Sequence, residues 1–148
     1  MFNKILVPMD GSEPAERAGE HAIALADVSN GEIIVLYVID TSYLNALPQY
    51  DLRKKLRTEL KEEGKEIVEK FKKSLEDTQC NGHCKNVTLT SMIKEGKPAN
   101  VILETIDEEN VDLIAIGKSG KHGLERLILG NTTNRVVNGS KDPVHVVA

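Results

Sequence analysis

Two clusters of glycine, hydroxyl and amide residues stand near the end of the chain: Gly117-Lys118-Ser119-Gly120 and, after nine further residues, Gly130-Asn131-Thr132-Thr133. Glycine admits backbone angles closed to other residues and lets main-chain N–H groups approach a ligand with no Cβ in the way. Gly117 and Gly120 follow a strand-like segment, whereas Gly130 precedes a helix start, whose first N–H groups lack internal partners and carry the positive end of the dipole. Anionic oxygens suit both places. Ser119, Thr132, Thr133 and the amide of Asn131 add side-chain donors for phosphate oxygens. Residues 118–126 hold Lys118, Lys121 and Arg126 against Glu125, a local field opposite in sign to the formal charge of -4 on the whole chain. That favours a small polyanion over a neutral ligand. The same glycines would also serve simply to cap a strand and turn a loop. No G-x-x-x-x-G-K-[ST] run and no G-x-G-x-x-G run after a strand is present, so the P-loop and dinucleotide readings lose their main support.

The elements that must position these residues are legible as alternating strands and helices. Ile5-Leu6-Val7 and Ile33-Ile34-Val35-Leu36-Tyr37-Val38 are short apolar runs of the kind buried on both faces of a sheet. Between them Ser12 is placed as an N-cap, Pro14 falls in the first turn, and Ala15, Ala18, Ala22, Leu25 and Ala26 recur at helical spacing up to Asn30-Gly31. After a linker around Pro48, Leu52, Leu56, Leu60, Ile67, Phe71 and Leu75 form one stripe among Lys and Glu, which predicts a long helix with solvated outer faces. Residues 86–92 alternate as a strand nearer an edge. Gly96-Lys97-Pro98 opens a helix to about Asn110, and residues 111–116 make a fourth strand. Residues 131–138 suit a helix stopped by Gly139, and residues 144–147 make a final strand. Short right-handed crossovers turn this order into a parallel sheet covered by helices on both faces.

Composition narrows the function. A chain of 148 residues can bury roughly 68–70% of its unfolded surface in one core. The absence of Trp, with two Phe and three Tyr, leaves little for stacking single strands. The net negative charge argues against nucleic acid and anionic membrane as partners. No apolar run approaches a membrane span, and Met1-Phe2-Asn3-Lys4 leads directly into a strand, so a cytoplasmic location is expected. Cys80-Asn81-Gly82-His83-Cys84 offers three soft ligands without a nearby fourth, and is read as a turn bearing loop thiols, with a disulfide or a metal site as the alternatives.

The spacing Gly-x2-Gly-x9-Gly joins three further stretches: the opening Ile5-Leu6-Val7-Pro8-Met9-Asp10-Gly11-Ser12, Val111-Asp112-Leu113-Ile114 ahead of the motif, and the closing Pro143-Val144-His145-Val146-Val147. Across essentially its whole length the chain resembles the universal stress protein family, in its ATP-binding branch. The resemblance implies one domain over residues 1–148. Its α/β fold would be a three-layer α/β/α sandwich, adenine nucleotide alpha hydrolase-like, with a five-stranded parallel sheet of order 3-2-1-4-5. In that order the ligand crevice lies beyond the carboxyl ends of strands 1 and 4, flanked by Asp10 and Gly117.

By the same resemblance Pro8, Met9 and Asp10 would contact adenosine, Val38 would meet adenine through its backbone, and Ile116 would pack nearby. Gly117, Ser119, Gly120, Gly130, Asn131, Thr132 and Thr133 would surround ribose and phosphates. Mg2+ or Mn2+ would be held through those phosphates. Asp10 also suits bonding the N–H groups of the adjoining turn, and Val38 and Ile116 would be buried whatever the function. Two positions depart from the family's pattern: Asn131 stands where Ser or Thr is usual, and Ser119 where ATP-binding relatives often carry His.

The function implied is that of a nucleotide-dependent regulatory protein of the stress response. It would act as a homodimer paired through the C-terminal strand, with His145 as a polar residue of that interface. Catalysis is not expected, because phosphoryl transfer needs a group that positions the nucleophile, and the candidates Asp10 and His122 have no evident partner in sequence. The alternatives are a slow ATP-hydrolysing enzyme and a family member that dimerises and binds partners without nucleotide.

Overall fold

The computed structural model describes residues 2–119 and 129–148. The chain runs β1 (Lys4–Pro8), α1 (Glu13–Ser29), β2 (Glu32–Asp40), α2 (Thr41–Asn45), α3 (Tyr50–Cys80), β3 (Thr88–Gly96), α4 (Pro98–Glu109), β4 (Leu113–Gly117), α5 (Asn131–Gly139) and β5 (Val144–Val147). The strands pair in parallel in the order β3-β2-β1-β4-β5. The register places Leu6 beside Ile34 and Ile114, so three large apolar side chains meet in the middle of the sheet.

Because strand side chains alternate, the sheet builds two cores. Ile5, Val7, Ile33, Val35 and Tyr37 point to one face, where they pack with Ala22 and Ala26 of α1 and Val68, Phe71 and Leu75 of α3. Leu6, Ile34, Leu36 and Ile116 point to the other face, against Ile102 and Ile106 of α4 and Val136 of α5. The architecture is therefore the three-layer α/β/α sandwich with sheet order 3-2-1-4-5. No helix among the described residues is long and apolar enough to cross a membrane.

Local chemistry explains the element ends. The Ala15 amide donates to Ser12 Oγ at 3.3 Å, which caps α1, and Asn30 closes the helix in the left-handed conformation at φ 52°. The small residues on α1 let α3 approach closely: a Cβ on Gly19 would stand 2.6 Å from the Phe71 ring.

Four boundaries differ from the sequence reading. The short helix α2 occupies part of the expected linker, started by Asp40, whose Oδ1 accepts from the Ser42 amide at 2.9 Å and the Ser42 hydroxyl at 2.6 Å. Strand β3 continues past Met92 to Gly96 because Tyr37 to Asp40 of β2 supply partners for it. It tolerates charge there as an edge strand, with Lys94 bonded to Thr105 at 2.9 Å and Arg57 paired with Glu95 at 3.0 Å. Strand β4 begins at Leu113, since the Val111 amide closes α4 on the Ile106 carbonyl and the Asp112 carboxylate takes the amides of Asn3 and Lys4. Gly139 is the last residue of α5 rather than its stop. A Cβ there would come within 2.8 Å of Leu103, so this glycine permits α4 to lie against α5.

The two thiols part company. Cys80 is exposed at the end of α3, whereas Cys84 is buried, its amide donating to Asp27 at 2.9 Å and its thiol facing the Ile23 carbonyl at 3.6 Å. Burial pushes the Cys84 thiol up, and the Asp27 carboxylate adds to the shift. Cys84 is thus a core residue rather than a loop thiol.

Candidate functional site

At the carboxyl ends of β1 and β4 the crossovers leave in opposite directions, to opposite faces of the sheet, and a cleft of about 460 Å³ opens between them. Its volume lies within the range of small-molecule sites. Pro8, Met9 and Asp10 enter it from the end of β1, Val38 from β2, and Ile116 and Gly117 from β4. Ser119 follows β4, and Gly130, Asn131, Thr132 and Thr133 bring the start of α5 to the same space. Eleven of the twelve residues expected at the site therefore converge on one cleft. Gly120 lies outside the described residues, as do Lys121, His122, Glu125 and Arg126.

The chain reaches this arrangement through a few specific bonds. The Met9 amide donates to the Leu36 carbonyl at 2.8 Å, which carries β1 one residue further along β2. Gly11 then turns the chain at φ 84°, a left-handed angle suited to glycine, and Asp10 Oδ1 accepts from the Ser12 amide at 2.9 Å. The turn-bonding use of Asp10 is thus present in the structure. On the other side the Gly130 amide donates to the Lys118 carbonyl at 3.0 Å, fastening the start of α5 to the end of β4. Gly130 at the cap of α5 has no side chain to bond the helix's leading amides, and among the described residues no side chain caps them.

Two of the residues expected around the ligand also brace the scaffold. The Thr133 hydroxyl is buried and donates to the Gly117 carbonyl at 2.8 Å, which commits its proton to the scaffold. Gly117 has no left-handed angle. A Cβ on it would stand 2.8 Å from the Ala15 nitrogen and 2.8 Å from the Pro14 carbonyl carbon, so glycine is needed to seat α1 against β4.

The electrostatics of the cleft are asymmetric. Asp10, Asp40 and Glu63 line it, and no Lys or Arg is among its described lining residues. The start of α5 brings its leading amides to the same cleft. Tyr37, 6% exposed, donates from its hydroxyl to Glu63 Oε2 at 3.3 Å. Burial, then the charge and hydrogen bond of Glu63, then the charge of Asp10 push its phenol up to about 12. The phenol therefore remains a neutral donor across the physiological range.

Tyr37, Asp40, Tyr43, Leu60 and Glu63 also line the cleft and were not foreseen. Leu60 and Glu63 arrive because α3 passes over the sheet, a tertiary event with little local signature. The one available signal is Gly64 inside a long helix, since a Cβ there would fall 2.4 Å from the Tyr37 ring.

The model of the universal stress protein family matches residues 1–148. Universal stress protein MJ0531 of Methanocaldococcus jannaschii is 38% identical over 147 residues, covering 99% of this chain and 82% of the relative. The solved structure of MJ0577, from the same organism, is similar with a TM-score of 0.84 at 35% identity, covering 99% of this chain and 96% of that one. A family structure from Arabidopsis thaliana with AMP bound is similar with a TM-score of 0.65 at 20% identity, covering 98% of this chain and 90% of that one, and shows the shared fold.

Proposed function

We propose that this chain, which belongs to the universal stress protein family, binds ATP in the cleft beyond β1 and β4 and acts without catalysis, as a dimer whose conformation or partner choice follows occupancy. The observation that carries this reading is that one cleft brings Gly130 and the start of α5 together with Pro8, Met9 and Val38. A nucleotide laid from Val38 toward α5 would rest its base on apolar surface and bring its phosphates to backbone donors. Asp10, Asp40 and Glu63, which also line the cleft, would repel phosphate placed beside them. The donor set fits a nucleotide through Ser119, Asn131 and Thr132 together with the leading amides of α5, while Thr133 serves by holding Gly117.

Mg2+ or Mn2+ would travel with the phosphates. Among the described residues no group of three His, Cys, Asp or Glu side chains is placed to hold a metal ion. The adenine-nucleotide choice also agrees with the AMP found in the Arabidopsis relative, which carries the same fold.

Calorimetric titration with ATP of protein freed of bound small molecules tests the reading, with one site per chain as the expected result. No heat at millimolar ATP, together with no adenine nucleotide released on heat denaturation, would overturn it. Rapid steady hydrolysis that disappears in Asp10→Ala would replace it with an enzymatic function. One observation favours a second reading, a family member that works without nucleotide: the described cleft walls carry three carboxylates and no cationic side chain. The same titration separates the two.

A further inference from the structure

Outside the residues that line the cleft, two imidazoles meet. His21 of α1 and His145 of β5 approach with Nδ1 and Nε2 2.8 Å apart, ring centroids 5.1 Å apart and ring planes inclined by 35°. The centroid separation equals the N···N distance plus one ring radius on either side, so the two nitrogens face each other along one line. A single proton joins them. The pair lies at the margin of the sheet, since β5 is an edge strand and His145 sits beside Ala115 of β4. Arg17, one turn before His21, donates to the Ala148 carbonyl at 2.6 Å and pairs with Glu13 at 3.8 Å.

Two imidazole nitrogens presented by a helix and a strand are also half of a coordination sphere. A cation bonded to both at about 2.0–2.1 Å with a tetrahedral angle would separate the nitrogens by about 3.3 Å and the ring centroids by about 5 Å. The centroids already have that spacing. Turning each ring by about 35°, half the supplement of the tetrahedral angle, would convert the hydrogen bond into a chelate. The bridging proton would pass to the outer nitrogen of its own ring, so both inner nitrogens become lone-pair donors and two neutral imidazoles remain. Imidazole suits Zn2+, Ni2+ and Cu2+, whereas Mg2+ and Ca2+ take oxygen. No third His, Cys, Asp or Glu joins the pair among the described residues, so water fills the other positions.

We propose that His21 and His145 form a two-histidine site for a divalent cation of the Zn2+, Ni2+ and Cu2+ class, which fastens the edge strand β5 to α1. The test uses the full chain without an affinity tag. Calorimetry with Zn2+ is expected to show one ion per chain, with affinity falling at least tenfold in both His21→Asn and His145→Asn. The Cys80→Ser/His83→Ala variant, which removes the accessible soft ligands of the turn after α3, is expected to retain it. Cu2+ paramagnetic resonance is expected to show two nitrogen ligands in the unaltered protein and one in either histidine variant. Circular dichroism of the variants checks that they fold. The proposal is overturned if the unaltered protein binds no Zn2+, if binding survives in a folded His145→Asn variant, or if it is lost in Cys80→Ser/His83→Ala.

Discussion

A Cβ built on Gly117 meets the backbone of Pro14 and Ala15, whereas Gly130, at φ -59° and ψ 156°, has angles open to any residue. Two glycines of one motif thus answer to different constraints. Gly117→Ala should cost about 1–3 kcal/mol of stability through overpacking against rigid backbone. Gly130→Val should leave the melting temperature near its original value and weaken ATP binding tenfold or more, by placing a side chain where phosphate approaches. Thermal melts beside ATP titrations check both, and a fully stable Gly117→Ala would contradict the packing argument.

Tyr37 makes a second residue-scale prediction. Its phenol is raised in the folded state, so the associated stability is fully present below the unfolded value near 10 and is lost as pH rises toward about 12. A shift of about two units corresponds to about 2–3 kcal/mol at most. Tyr37→Phe should lose about 1 kcal/mol near neutrality with the hydrogen bond to Glu63. It should also show a flatter decline in melting temperature between pH 9 and 11.5 than the unaltered protein. An equally steep decline would mean that Tyr37 does not drive the alkaline loss.

At the scale of elements, α3 shows how packing overrules propensity. Replacing Gly64 by Ala should gain up to about 1 kcal/mol as a helix interior substitution. The new Cβ would stand 2.4 Å from the buried Tyr37 ring, a clash whose cost of about 1–3 kcal/mol outweighs that gain. Gly64→Ala should therefore lower the melting temperature. It should also weaken ATP binding, because α3 carries Leu60 and Glu63 into the cleft; a raised melting temperature would refute the close approach. The start of α1 was legible because Ser12, Pro14 and the alanine stripe act within one helix. The extension of β3 to Gly96 was not, because Lys94 and Glu95 discourage a strand until β2, Thr105 and Arg57 supply partners.

For the molecule as a whole, the two sheet edges are unequal. Strand β3 carries Lys94 and Glu95, charges that guard an edge, while β5 presents Val146, 36% exposed. In the proposed dimer that asymmetry makes β5 the expected pairing edge. Sedimentation is expected to give a dimer for the unaltered chain and a monomer of similar thermal stability for Val146→Lys. A monomer in both would remove β5 as the interface.

The amino-acid sequence by itself determined the alternation of strands and helices, and with the family's pattern it determined the sheet order and about half of the cleft's described lining. Apolar period, caps and glycine spacing are local properties that survive without tertiary contacts. What the tertiary structure decided was which of these residues also brace the scaffold. Gly117 and Thr133 became braces because α1 and α5 press on β4. Tyr37 and Glu63 became neighbours because a helix 26 positions downstream crosses the sheet, and His21 met His145 across 124 positions. Such meetings depend on how layers pack, and no local period encodes them.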